Sequence, residues 1–180
     1  MRAYLFLATG FEEIEAVATI DILRRGGVEV TAISITGNLS VLGVHEISVT
    51  ADKLFEQADF SDGNVFILPG GGPGSFMLND HKALKQLLVQ QHEQNKWIAA
   101  ICAAPLVLGG LGLLKGKKAI CYPGMESYIQ GAVLTDQPAV IDGNIITGKG
   151  PGLVFDFGLT ILAALQGQEV ADNVAGDLLI

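Results

Sequence analysis

The sequence has little sulfur and little positive charge. Two cysteines, Cys102 and Cys121, stand among 180 residues, and no histidine lies near either in sequence. That excludes a disulfide-stapled scaffold and a zinc site built on closely spaced cysteine and histidine. Reduced thiols and a cytoplasmic location are the expectation. Lysine and arginine number 11 against 19 acids, so the net charge is −8, and the only basic groupings are Arg24-Arg25 and Lys115 to Lys118. A phosphate backbone is a poor partner for such a chain, which argues against nucleic-acid binding. No apolar run reaches the length of a membrane span. The opening Met1 to Ala8 leads into acidic residues and not into a cleavage site, so no signal peptide is expected.

What is abundant is apolar: 49% of residues are hydrophobic and 17% charged. At this length that supports one domain, residues 1–180, with a sizeable core. Short continuous apolar runs read as strands at Ala3 to Ala8, Val28 to Ile35, Val65 to Leu68, Trp97 to Ile101 and Ile145 to Thr147. Helical patterns lie between them at Glu13 to Arg25, His81 to Gln94, Ala104 to Gly109 and Leu153 to Leu165. Gly26-Gly27 and Gly167 sit at helix ends. This alternation predicts an α/β fold with a mainly parallel sheet and helices on both faces. Two segments depart from it. Leu39 to Ala51 reads as a hairpin, as does Ala132 to Thr147 with its turn at 142-DGN-144. Residues 168–180 read as a short helix and an apolar tail that docks on the body.

In open α/β sheets, ligands bind beyond the carboxyl ends of the strands. The segments there are 9-TGFEEIEA-16, 69-PGGGPGS-75, 102-CAAP-105 and 148-GKGPG-152, and they should converge on one rim. Cys102 falls at a strand-to-helix bend flanked by Ala100 and Ala104, in the manner of a nucleophile elbow. Free amides there favour an anion, which predicts a lowered thiol pKa and a nucleophile. A buried core cysteine fits the same pattern. The run 70-GGG-72 lacks the lysine of a phosphate loop, but its bare backbone could face Cys102. The amides of Gly71 and Ala103 would then form an oxyanion hole. Glu12 and Glu13 suit the positive end of a helix and need no further role. Glu15 shares a helix face with Ala18, Thr19 and Ile22, so its carboxyl is either partly buried and proton-active or one more solvated acid. His81 and His92 fall on a polar helix face, and His45 reads as a surface strand residue. Cys121 reads as a core residue in preference to a resolving thiol.

Taken together, 10-GFEEIEAVATIDILRRGG-27, 67-ILPGGG-72, 98-IAAICAAP-105 and 148-GKGPGLVFDFG-158 resemble the ThiJ/PfpI family. Within it they are most similar to the branch of the parkinsonism-associated protein deglycase and its bacterial relatives. The resemblance runs over nearly the whole chain. It implies a flavodoxin-like three-layer sandwich, usually a homodimer. Cys102 corresponds to the family's reactive cysteine and Glu15 to the protonated glutamate that bonds the thiolate. Gly71 and Ala103 correspond to the oxyanion hole. Gly70, Gly72, Tyr122 and Pro151 would line the substrate site, and dimer contacts would fall around Ile14, Arg25 and His45. The implied activity is that of a glyoxalase or deglycase on methylglyoxal or its thiol and amine adducts, with no metal or organic cofactor. The alternative it implies is a redox sensor or redox-linked chaperone whose cysteine is oxidised to a sulfinate. Two departures bear on this. Tyr122 stands where active relatives commonly have a histidine, and a phenol is a poor base at neutral pH, which predicts slow turnover. Ala103 stands where the peptidase branch has a histidine, which argues against a protease, and nothing in the loops supports the thiamine-pathway label common in the family.

Overall fold

The computed structural model describes residues 1–180. The first half runs β1 (Arg2–Leu7), α1 (Glu13–Arg25), β2 (Glu29–Ser34), β3 (Ser40–Leu42), β4 (Ser48–Thr50), β5 (Lys53–Leu54), β6 (Val65–Leu68), α2 (Gly72–Asp80) and α3 (Lys82–Glu93). The second half runs β7 (Trp97–Ile101), α4 (Pro105–Gly110), β8 (Lys118–Ala119), β9 (Val133–Leu134), β10 (Ala139–Asp142), β11 (Ile145–Gly148), α5 (Val154–Gln166) and α6 (Gln168–Asp177). Seven strands form one sheet in the order β10-β11-β7-β6-β1-β2-β5. All neighbours are parallel except the edge pair β10–β11.

Alternation along each strand sorts the core into two layers. Ala3, Leu5 and Leu7 of β1 face the layer that holds Ile22 of α1 and Phe157 and Ile161 of α5. Tyr4 and Phe6 face the layer that holds Leu78, Leu84 and Leu88 of α2 and α3. Both sheet faces are therefore covered, and this is why the strands read as unbroken apolar runs. In α1 the buried positions Glu15, Ala16, Thr19, Ile22 and Leu23 recur at helical spacing. Gly27, at φ 75°, ends the helix in the left-handed region.

Three details differ from the sequence expectations. Residues 72–80 form a helix, where the glycine- and proline-rich start reads as a turn. Pro73 sits at the first turn of that helix, where a missing N–H costs nothing. The hairpin expected over 132–147 is confined to β10 and β11. Val133–Leu134 instead pairs in parallel with Lys118–Ala119, separated from β10 by Thr135 to Pro138. The C-terminal tail docks only in part: Leu178 packs against the core, whereas Leu179 is 91% exposed.

The order β11-β7-β6-β1 makes the four segments that follow these strands spatial neighbours. Between β1 and β6 the chain direction of crossover reverses, with α1 on one face of the sheet and α2 on the other. That reversal is where such sheets open a site. No helix is long and apolar enough to cross a membrane. Ile22 is fully buried between α1 and α5, whereas Ile14 on the same helix is 57% exposed. Ile22→Ala should cost about 2–5 kcal/mol in urea unfolding, and Ile14→Ala should cost the folded chain within about 0.5 kcal/mol.

Candidate active site

Cys102 ends β7 with φ at 65°, in the left-handed region that a side chain with a Cβ rarely occupies. Three main-chain bonds hold this strained residue in place. Its N–H donates to Gly148 O at 2.9 Å, its carbonyl accepts from Tyr122 N–H at 2.8 Å, and Ala104 N–H donates to Ile101 O at 3.0 Å. Strain that is over-determined by its surroundings is characteristic of functional bends. The bend turns the thiol out of the sheet, and the residue is 9% exposed. The N–H groups of Gly71 and Ala103 both face the sulfur and favour its anion.

Gly71 reaches that position with φ at 87°, pressed against the backbone of residues 10–12; a Cβ there would lie 2.6 Å from Glu12 N. Gly70 packs against both the thiol and a carboxyl group. A side chain on Gly70 would meet Cys102 Cβ and Glu15 Oε2, each at 2.5 Å. Glu15 comes from the first turn of α1 and is fully buried. Its Oε2 accepts from Gly70 N–H at 2.7 Å. Its Oε1 is buried with no hydrogen-bond partner.

Burial pushes the Glu15 carboxyl up to about 7, against the pull of the Gly70 N–H and of Cys102. Burial, followed by the charge of an ionised Glu15, pushes the Cys102 thiol up to about 12, while the Gly71 and Ala103 amides pull it down. The lowered thiol pKa expected from the elbow alone is thus overturned, because the sulfur is withdrawn from water beside an acid. Below about 7 both groups hold their protons, and above it the pair holds one. They titrate as a pair.

Around this pair, Gly72 opens α2 with space on its Cα, and half-buried Pro151 begins the turn after β11. Tyr122 is 48% exposed, and its ring lies over Gly150, whose added Cβ would sit 3.1 Å from it. The structure therefore brings Cys102, Glu15, Gly70, Gly71 and Ala103 together, with Tyr122 joined to the elbow through its backbone. Cys121 packs in the opposite core layer from Cys102, which separates the two thiols. Ile14, His45 and Arg25 lie elsewhere, along α1 and the hairpin tip. Arg25 is paired with Asp21 at 2.7 Å. The larger cavities, about 450 and 760 Å³, open along α3, and Cys102 lines neither.

Sequence reasoning missed Glu12 and Glu13. Both are buried, at 8% and 6% exposure, and Glu13 binds the tip of the β3–β4 hairpin. Their partner is 32 residues away in sequence, beyond any spacing rule. His81 is also not simply solvated: its Nδ1 accepts from Leu84 N–H at 3.1 Å and caps α3.

The coupled proton leads to a pH signature. A carboxyl held near 7 in the folded chain stays protonated where the unfolded chain has already ionised. Its contribution to stability is therefore full at low pH and is lost as pH rises from the ordinary carboxylate range through about 7. In urea unfolding, Glu15→Gln should gain on the wild type between pH 4 and pH 8, by on the order of 3 kcal/mol. Iodoacetamide labelling of Cys102 should show an inflection near pH 7 that Glu15→Gln removes. A single thiol titration in both proteins would overturn the coupling.

Known proteins share this sequence and fold. The pattern of the DJ-1/PfpI family matches residues 1–164. The chain is 36% identical to protein dj-1beta of Drosophila melanogaster over 180 residues, covering 99% of this chain and 96% of that one. It is 40% identical to DJ-1 homolog B of Arabidopsis thaliana over 176 residues, covering 97% of this chain and 40% of that protein. The chain thus spans less than half the length of the Arabidopsis relatives. The solved structure of Drosophila DJ-1beta superposes with a TM-score of 0.95 at 35% identity, covering 99% of this chain and 97% of that one. A Toxoplasma gondii structure titled as oxidized DJ-1 also gives 0.95 at 35% identity, with the same coverage. The family pattern over most of the chain and the extent of these similarities agree, and the chain belongs to the DJ-1/PfpI family.

Proposed function

We propose that the chain is a cysteine-dependent, cofactor-independent enzyme of the glyoxalase or deglycase type, acting on methylglyoxal or on its thiol and amine adducts. One observation carries this reading: a buried carboxyl titrating near neutrality shares its proton with a thiol that two free amides also face. A general base works best when its pKa lies near the operating pH. Glu15 takes the thiol proton as sulfur adds to the aldehyde carbon, forming a C–S bond. The carbonyl electron pair moves to oxygen, which the Gly71 and Ala103 amides stabilise. Glu15 returns the proton to that oxygen and then carries the C1 proton to C2 by way of an enediol, while the C1 hydroxyl proton passes to the C2 oxygen. Water cleaves the resulting thioester and frees the thiol, so methylglyoxal plus water gives lactic acid. Tyr122 beside Gly150 is placed to orient a substrate oxygen. With Tyr122 where active relatives have a histidine, proton transfer falls on Glu15 alone and turnover is slow.

The same reading includes a homodimer. Its support is that Ile14, Val17 and Ile47 are 57%, 50% and 58% exposed on α1 and at the hairpin, the elements that also carry Arg25 and His45. A monomeric mass by light scattering would remove this part. A second reading is a redox sensor. Its support is Glu15 Oε1, a buried atom with no other partner, which could bond an oxygen added to the sulfur. The Toxoplasma neighbour is described as oxidized, a statement about that protein.

The enzyme reading predicts glutathione-independent lactate formation that disappears in Cys102→Ser. Glu15→Gln should reduce it by about 10²–10⁴-fold. The sensor reading predicts no lactate and a mass gain of two oxygens at Cys102 under mild peroxide. An idle site would show neither.

A further inference from the structure

His45 sits at the tip of the β3–β4 hairpin and faces two acids at the start of α1. Its Nδ1 is 2.9 Å from Glu13 Oε2 and 3.7 Å from Glu12 Oε2. The side chains of Glu13 and Glu12 are only 7% and 11% exposed, whereas that of His45 is 66% exposed. One oxygen of each acid and a ring nitrogen all lie within 4.8 Å of one another. Two carboxylates this close repel, and burial adds the cost of desolvation, so they call for a positive charge beside them. A protonated His45 ring supplies it, and neither acid has another ionic partner.

Few other bonds hold the tip. Val44 N–H donates to Phe11 O at 2.8 Å and His45 N–H donates to Glu13 Oε1 at 2.7 Å. Gly10 N–H donates to Leu42 O at 2.8 Å at the end of β3. Within the turn, Glu46 has φ at 64°, a conformation that disfavours a residue with a Cβ. Val44, His45, Glu46 and Ile47 are all exposed, so no apolar core secures them. An exposed, strained turn fastened by a handful of polar bonds is an element that opens locally at low cost.

We propose that His45 is a pH-sensitive latch, closed when its ring is protonated beside Glu12 and Glu13 and loosened when the ring becomes neutral. The charged groups set against the ring are these two acids of α1; Glu46, next to it on the hairpin, is exposed. The bond to Glu13, followed by the charge of Glu12, raises the imidazole above its ordinary 6.5. A group raised in this way contributes its full stability below the ordinary histidine value and loses it as pH climbs through the raised one. The latch therefore closes toward acid and opens toward alkali. The tip presents Val44 and Ile47, 37% and 58% exposed, so the proton sets the order of a surface that the dimer reading uses. The latch itself lies within one chain and needs neither that reading nor the chemistry at Cys102.

The test follows the full chain from about pH 6 to about pH 9, across the histidine range. The imidazole proton resonance of His45, assigned by its loss in His45→Gln, should titrate above 6.5 and move down in Glu13→Gln. Hydrogen–deuterium exchange of residues 40–50, timed to compensate for the intrinsic pH dependence of exchange, should lose protection about two- to fivefold over that range, the span of an exposed ion pair. His45→Arg, charged throughout, should keep its protection at both ends, and His45→Gln should lack it at both. Glu15→Gln should leave the hairpin response in place, which separates it from titration of the buried site. A ring that titrates at or below 6.5 would overturn the proposal. So would hairpin protection that is constant with pH, or that falls equally in wild type and His45→Arg.

Discussion

Glu15 carries its carboxyl into a part of the molecule that water does not reach, and the N–H of Gly70 meets it there at 2.7 Å. Much of the site's construction follows from accommodating that group. Gly70 must lack a side chain because Cys102 and the carboxyl together occupy the place its Cβ would take. Gly71 must turn through the left-handed region to aim its amide at the sulfur while lying against residues 10–12. Gly70 O in turn accepts from Glu12 N–H at 2.9 Å, which ties the glycine turn to the start of α1. The cost of burying an acid is offset by one strong hydrogen bond and by a proton shared with sulfur.

Two kinds of strain and desolvation are concentrated at one rim. Cys102 occupies a backbone conformation that disfavours it, and Glu15 holds a proton that an exposed glutamate would release. Both are sustained by the apolar layers behind them. Strands buried on both faces give a rigid edge, and that edge fixes the distance between β7 and the glycines after β6. Stability and chemistry are therefore in partial opposition at Glu15. The charge that Glu15 gains above neutrality weakens the fold there, and the proposed proton transfer draws on the same ionisation.

The start of α1 serves two regions at once. Glu15 points inward to the thiol, whereas Glu12 and Glu13 turn toward the β3–β4 hairpin. Burial pushes Glu13 up, but the His45 ring and backbone N–H groups outweigh it and keep the carboxyl below its ordinary range. The His45 imidazole is raised, first by its bond to Glu13 and next by the charge of Glu12. Acids in the first turn of a helix normally need no explanation beyond the helix dipole. Here Glu15 is held by Gly70, whereas Glu12 and Glu13 share His45.

The sequence determined the fold class through its apolar periodicity. Five short buried strands alternating with helical patterns leave few arrangements other than a doubly covered parallel sheet. It also pointed to Cys102 and the glycine triplet, because a cysteine on a strand-to-helix bend and bare backbone beside it are local features. Tertiary structure decided what those residues experience. Whether Glu15 is solvated or sealed depends on Gly70, which is 55 positions away in the chain. Whether the Cys102 thiol is lowered by amides or raised by burial depends on how deeply the elbow sits. The helix over 72–80 was hidden because glycine and proline mask its start, and packing of Leu78 secures it. The meeting of Glu12 and Glu13 with His45 was invisible for the same reason, since proximity through a folded chain leaves no mark on linear spacing.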